Sequence, residues 1–307
     1  MVEPASRRAD VETVAVAARR SGVARVLADR WGIPVAYDRY QDLLQDPAVD
    51  AVYISNAASD HARWSVAALD AGKHVLVEKP AATTVRQAEE MAAAARRSGR
   101  RLLEAFHYRH HPLFAAVSAI ARRANGGEIR HMSSVIIGHR PFEEKSVLHD
   151  PVVGGGALSH SGCYAVHWMR TLAGEEPVVV GATAERNPAG GDLSSIVDLA
   201  FPGGATGRIV SSFARDRDAS DGPELAIDFG RDRLEVAGLI VPHAGHSIRE
   251  WRNGLMLGPR TVTGGSSYDH QLAAFVRTLN DPRAAELDAV DLVAGATVLE
   301  RAYAAMR

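Results

Sequence analysis

Residues 73–84 read KHVLVEKPAATT, a short apolar run that stops at a Glu-Lys-Pro corner. The run is a strand, and the corner gives its C-terminal end an unusual chemistry. Arginine is the default cation of this chain, whose only lysines are Lys73, Lys79 and Lys145. Arginine stays protonated at any working pH, whereas lysine can be tuned to give and take a proton. Pro80 turns Lys79 away from helical angles and fixes its exit from the strand. A salt bridge between Glu78 and Lys79 is the plainer reading. It is disfavoured because neighbours on a strand point to opposite faces.

Working outward, residues 51–57 (AVYISNA) read as another buried strand, and HARWSVAALDAG after it as a helix closed by Gly72. TVRQAEEMAAAARRSG is a helix closed by Gly99, and RLLEAFHYR a further strand. Upstream, residues 13–19 (TVAVAAR) form a strand. GVARVLADRWG then sets Val23, Val26, Leu27 and Arg30 at helical spacing and stops at Gly32. YQDLLQDPAVD is a short helix broken by Pro47. Such alternation with short connections predicts an α/β domain with a doubly wound parallel sheet over residues 1–107.

After Tyr108 the pattern changes. HPLFAAVSAIARRAN and GALSHSGCYAVHWMRTLAG read as helices, separated and followed by longer alternating runs with hairpin turns at FPGGATG and FGRDR. SYDHQLAAFVRTLND and AVDLVAGATVLERAYAAMR close the chain as helices. Residues 108–307 are therefore expected to form an α+β domain around a large, mostly antiparallel sheet.

The 307 residues suit two domains, and a formal charge of −2 gives no footing for nucleic-acid or polyanion binding. No run of about 20 apolar residues would span a membrane, and the first residues lack the apolar core of a signal peptide. A cytoplasmic protein is expected. The single Cys163 permits no internal disulfide, and nothing beside it activates the thiol.

Side chains at the ends of parallel strands face the ligand crevice. Arg19 and Arg20 end one strand; they either suit a ribose 2′-phosphate or form a solvated pair. Asn56, Ser59 and His61 follow the next and can hydrogen-bond a ribose or a nicotinamide amide, although Ser59 also suits a helix N-cap. His160, Tyr164 and His167 lie at i, i+4 and i+7, one face of a helix, beside an apolar stripe. That pattern fits an amphipathic surface helix, yet two histidines and a tyrosine are odd surface residues here, so a site is also open. Residues 154–156 are all glycine and would turn tightly into that helix, exposing its first amides. HYRHHP (residues 107–112) lacks a metal site's ligand spacing, and no metal is expected.

Four blocks, AGKHVLVEKP, EAFHYRHHPLF, GGGALSHSGCYAVHWMR and SYDHQLAAF, occur in one order across nearly the whole chain. Together they resemble the Gfo/Idh/MocA family of NAD(P)-dependent oxidoreductases, nearest the branch with dihydrodiol and xylose dehydrogenases. The resemblance implies a Rossmann domain, a C-terminal domain with an open antiparallel sheet, and a last helix that packs back on the first domain. It implies a sugar-, polyol- or diol-like small-molecule substrate and a homo-oligomer. It places Lys79 as the catalytic lysine, Tyr164 as the acid–base residue with His160 beside it, and Glu78 and Lys79 near the cofactor. Tyr108, Arg109 and His167 are placed as substrate-binding side chains. A cationic Lys79 would depress the pKa of the Tyr164 phenol.

Two departures accompany the resemblance. His160 stands where the family helix commonly has Asp. The glycine turn and first strand expected ahead of VEPASRRADVETVAVAAR are not in this sequence, and an in-frame stretch of about 15–25 codons encoding them is expected upstream. The basic pair at Arg19 points to NADP, with NAD possible. A non-catalytic ligand-binding or regulatory relative is the alternative function.

Overall fold

Local chemistry explains the elements of the first part: α1 (Val2–Ser6), β1 (Ala15–Ala17), α2 (Val23–Trp31), β2 (Val35–Tyr37), α3 (Tyr40–Gln45), β3 (Ala51–Ile54), α4 (Ala58–Asp70), β4 (His74–Val77), α5 (Val85–Ser98) and β5 (Leu102–Glu104). The structure is a computed structural model that describes residues 1–123, 128–218 and 220–306. Gly32 and Gly99 close α2 and α5 in the left-handed conformation, with φ of 65° at each. The Thr84 side chain caps α5 by accepting from the Gln87 amide. All four residues of β4 are buried, as expected of a parallel strand covered on both faces.

β3, β4 and β5 form one parallel sheet in that order, and β1 and β2 form a separate parallel pair. Two sequence expectations change here. Val23, Val26 and Leu27 of α2 are exposed, and the small Ala24 and Ala28 make its buried face. β3 is half-covered, with Ala51 and Tyr53 exposed.

The second part contains α6 (Pro112–Arg123), β6 (His131–Ile137), α7 (Cys163–Ala173), β7 (Val178–Arg186), β8 (Asp192–Ala200), β9 (Thr206–Ser212), β10 (Leu225–Asp228), β11 (Arg233–Ala237), β12 (Ser247–Arg252), β13 (Leu255–Arg260), α8 (Ser267–Arg277) and α9 (Pro282–Ala305). Eight strands make one sheet in the order β13-β12-β11-β10-β6-β9-β8-β7. Every pair is antiparallel except β6 with β9. Gly204 (φ 91°) and Gly230 (φ 92°) turn the two hairpins read from FPGGATG and FGRDR. Residues 124, 125 and 307, the ends of two expected helices, lie outside the described residues.

Two larger apolar cores form, one around Val75, Val77 and Met91, the other around Trp168, Ile209 and Leu234, and a smaller cluster joins Leu76, Leu103, Ala105 and Phe275. α9 serves both: Leu292 and Ala296 enter the first, Val298, Leu299 and Ala302 the second. Each buried leucine contributes about 2 kcal/mol, so α9 binds the two parts by ordinary apolar burial.

Candidate active site

β4 delivers Lys79 to the junction between the two parts, and the corner after it is held from both sides. The Ala81 amide donates to Glu104 Oε1 at 2.8 Å, and the Pro80 carbonyl lies 2.9 Å from His61 Nδ1. Glu78 turns away, accepting from the Tyr53 hydroxyl and, at 3.2 Å, from the Lys79 amide. The Lys79 Nζ is thereby free to reach α7. It donates to the His160 carbonyl at 2.6 Å and sits 4.9 Å from the centre of the Tyr164 ring.

The segment before α7 is wound as a π-helix, Leu158–Gly162. This wider turn takes His160 off the expected single face, whereas Tyr164 and His167, one turn apart on α7, stay together beside Phe106 and Tyr108; such turns are frequent at functional sites. His160 packs edge-on against Phe213, Tyr164 faces Lys79 and His107, and His167 faces Tyr108. Nor is α7 a surface helix, since every residue from Cys163 to Arg170 is buried. The expected open amides are also closed. The Leu158 amide donates to Asp192 Oδ2 at 2.7 Å and the Ser159 amide to the Tyr303 hydroxyl at 3.0 Å. The glycines answer a packing need instead: a Cβ on Gly154 (φ 85°) would lie 2.8 Å from Thr83 and 2.9 Å from Ala58.

Electrostatics set the protonation states. Burial drives the Tyr164 phenol well above its usual pKa, so it rests as a neutral donor. The expected depression by Lys79 is overturned, because desolvation of a nearly enclosed ring outweighs a charge held against its face. Burial, then the Lys79 charge, brings His160 down to about 3, leaving it neutral. Its backbone oxygen, not its ring, accepts the hydrogen bond from Lys79. Burial pushes the Cys163 thiol up to about 12, consistent with an inert side chain.

Other expected site residues are engaged by the protein itself. Both ring nitrogens of His61 face backbone carbonyls, of Pro80 and Asn56, so it braces the corner and offers nothing to a cofactor. Ser59 is not the N-cap of α4; Ala57 holds that position, without a side-chain bond. Tyr108, Arg109 and His167 belong to a buried network on α9. Tyr108 Oη is 2.5 Å from His167 Nδ1, His167 Nε2 is 3.2 Å from Asp291, and Arg109 and Arg170 each reach Asp291 at 2.9 Å. Burial raises the Asp291 carboxyl, but His167, Arg109 and Arg170 together hold it well below its usual range. Among the described residues no group of His, Cys, Asp or Glu has metal-binding geometry.

Glu104, His107 and Ser267 are the residues that pattern reading missed. Their blocks stood out in the sequence, but spacing gave no sign that His107 would meet both Tyr164 and α8.

Residues 2–106 match the description "Oxidoreductase family, NAD-binding Rossmann fold", and residues 114–238 match "GFO/IDH/MocA C-terminal domain". D-xylose 1-dehydrogenase (NADP(+)) 2 of Haloferax volcanii is 30% identical over 98% of this chain and 92% of that protein. This chain belongs to the Gfo/Idh/MocA oxidoreductase family. An uncharacterized oxidoreductase of Rhizobium meliloti is 36% identical over 66% of the chain, a match spanning 60% of that relative's length. The fold is that of a 3-ketoreductase from Actinomadura kijaniata solved with NADP and TDP-benzene, at a TM-score of 0.90 and 24% identity over 100% of this chain and 93% of that one. In this Gfo/Idh/MocA chain, Asn56 has a buried Oδ1 without a partner, an acceptor that fits a ribose hydroxyl or carboxamide N–H. Arg19 and Arg20 are exposed just past β1. No G-x-G-x-x-G turn for a dinucleotide pyrophosphate is found in the sequence.

Proposed function

We propose that this chain transfers a hydride between NADP and a hydroxyl or carbonyl carbon of a sugar-, polyol- or diol-like small molecule, with Lys79 and Tyr164 as its catalytic pair. The observation that carries the reading is the meeting of a lysine ammonium and a neutral phenol at the junction of the two parts, 4.9 Å from charge to ring centre. The bound nicotinamide supplies the hydride acceptor or donor. The chain must then move one proton to or from the substrate oxygen. In reduction, Tyr164 gives its phenolic proton to that oxygen, and the Lys79 charge stabilises the phenolate left behind. In oxidation the phenolate takes the hydroxyl proton. Lysine suits this place because its compact ammonium can lie against the ring while its stem follows the strand. Asn56 and Glu78 would hold the nicotinamide side of the cofactor, and Arg19 and Arg20 the 2′-phosphate.

The test replaces each partner at near-constant size. Lys79→Met and Tyr164→Phe should each lower kcat by roughly 10²–10⁴-fold. The double variant should be little worse than either single one, because residues acting on one proton are not additive. Steady-state kinetics with NADP and a panel of aldoses and vicinal diols measures both. Parental turnover in Lys79→Met would refute the pair. If no panel member is turned over while NADP or a sugar still binds by calorimetry, the non-catalytic alternative is favoured.

A further inference from the structure

We propose that Tyr164 exchanges its proton with solvent through a relay of His107, Ser267 and His243. The relay rests on the assignment of Tyr164 as the acid–base residue, but it makes a separate structural claim. The Tyr164 hydroxyl is 3.3 Å from His107 Nε2, His107 Nδ1 is 2.9 Å from Ser267 Oγ, and Ser267 Oγ is 3.1 Å from His243 Nδ1. Tyr164, His107 and Ser267 are buried, while His243 is exposed. The chain of hydrogen bonds therefore begins at an enclosed phenol and ends in water. Tyr268 stacks on His107, with ring centres 4.2 Å apart, and fixes the imidazole plane.

The backbone sets the polarity of the relay. The Ser267 amide also donates to His243 Nδ1, at 3.3 Å, so that nitrogen is an acceptor. The Ser267 hydroxyl then donates to it as well, and its oxygen accepts from His107 Nδ1–H. His107 Nε2 is left as the acceptor for the Tyr164 hydroxyl. One concerted shift breaks the Tyr164 O–H and forms His107 Nε2–H. It moves the Nδ1 proton of His107 to Ser267, and the Ser267 proton to His243 Nδ1. His243 then releases its Nε2 proton to water. The result is a Tyr164 phenolate, the base that oxidation of an alcohol needs; reduction runs the shift in reverse. Burial, then the Lys79 charge, holds His107 down to about 4, so it passes a proton without storing one.

Exchange of the Tyr164 hydroxyl proton tests the relay in the full chain without substrate. With tyrosine labelled at Cζ, the signals of the O–H and O–D forms in mixed water give that exchange rate, and Tyr164→Phe assigns the resonance. Ser267→Ala removes the central link without adding bulk and should slow exchange roughly tenfold or more. His243→Ala alters only an exposed side chain; it should slow exchange similarly, and added imidazole buffer should restore the rate. Nitrogen-15 spectra of the wild-type histidines should show His107 protonated at Nδ1 and His243 at Nε2. Unchanged exchange in Ser267→Ala, or a His107 protonated at Nε2, would overturn the proposal. If turnover survives in Tyr164→Phe while exchange still depends on Ser267, the catalytic assignment fails and the relay stands. If Tyr164→Phe stops turnover while exchange ignores Ser267, the relay alone fails.

Discussion

Glu104 shows how one half-buried group can govern both a corner and a pH response. It accepts the Ala81 amide just past Lys79, and burial pushes its carboxyl from 4.5 up to about 7. Between those values the folded chain holds a proton that the unfolded chain has lost, so the group makes stability fall as pH rises through the window. Glu104→Gln keeps an oxygen for Ala81 and removes the titration. Urea melts at pH 5 and pH 8 should show wild type losing on the order of 3 kcal/mol relative to the variant across that span. Parallel pH profiles would contradict the raised carboxyl. Arg19 bears on cofactor choice at the same scale. Exposed past β1, it is free to pair with a 2′-phosphate. Arg19→Ala should weaken NADP binding roughly tenfold and leave NAD nearly unchanged, since a charged hydrogen bond contributes about 1.5–3 kcal/mol. Fluorescence titration with both cofactors measures this, and equal losses would argue against the contact.

At the scale of elements, the π-helix and α9 do what period counting could not foresee. One extra residue in the turn at Leu158–Gly162 sends His160 toward Phe213 and away from Tyr164 and His167, the side chains read on the same face. α9 brings Asp288 and Asp291 into contact with arginines from both parts of the chain, Arg101 and Arg109 as well as Arg170. The Arg101–Asp288 pair is almost wholly buried, and burial raises the Asp288 carboxyl to about 6. Asp288→Ala leaves the Arg101 charge buried without a partner and should cost about 3–5 kcal/mol in denaturant unfolding. Replacing both residues with leucine should recover most of that loss, because the pair offsets its own desolvation only narrowly. A double variant as unstable as the single one would mean that Arg101 is not the cause. Helix ends, by contrast, were legible. Gly32 and Gly99 close their helices because only glycine takes φ near 65° without strain. β2, β12 and β13 went unread, since short strands beside polar neighbours carry little period-2 signal.

Over the whole molecule, the two larger cores meet along α9, the loop at Gly154 packs on Thr83 and Ala58, and the candidate site groups collect at this junction. β3, β4 and β5 end on one edge, placing Asn56, Lys79 and His107 there, and α7 and α8 bring Tyr164 and Ser267 to the same place. The Rossmann-like sheet is in two pieces, β1 with β2 and β3 through β5, with no ladder joining them among the described residues. The exposed side of Tyr53 and the apolar stripe of Val23, Val26 and Leu27 belong to that divided half. This explains why α2 and β3 departed from the burial their patterns suggested. Amphipathic spacing marks a face that can be covered, and coverage depends on what lies beside it.

The sequence alone determined most of the elements, the parallel character of the first part and the mostly antiparallel character of the second, and it singled out Lys79 as a lysine at a strand end. These follow from local rules: side-chain period, glycine and proline stops, and the choice of lysine in an arginine-rich chain. Tertiary structure alone decided which groups surround Lys79. Lys79 and the His160 carbonyl are 81 residues apart, and His107 and Ser267 are 160 apart. No local pattern encodes contacts at such separations. The same packing reversed the expected effect on Tyr164, since burial is a property of the assembled core and not of any neighbour in sequence.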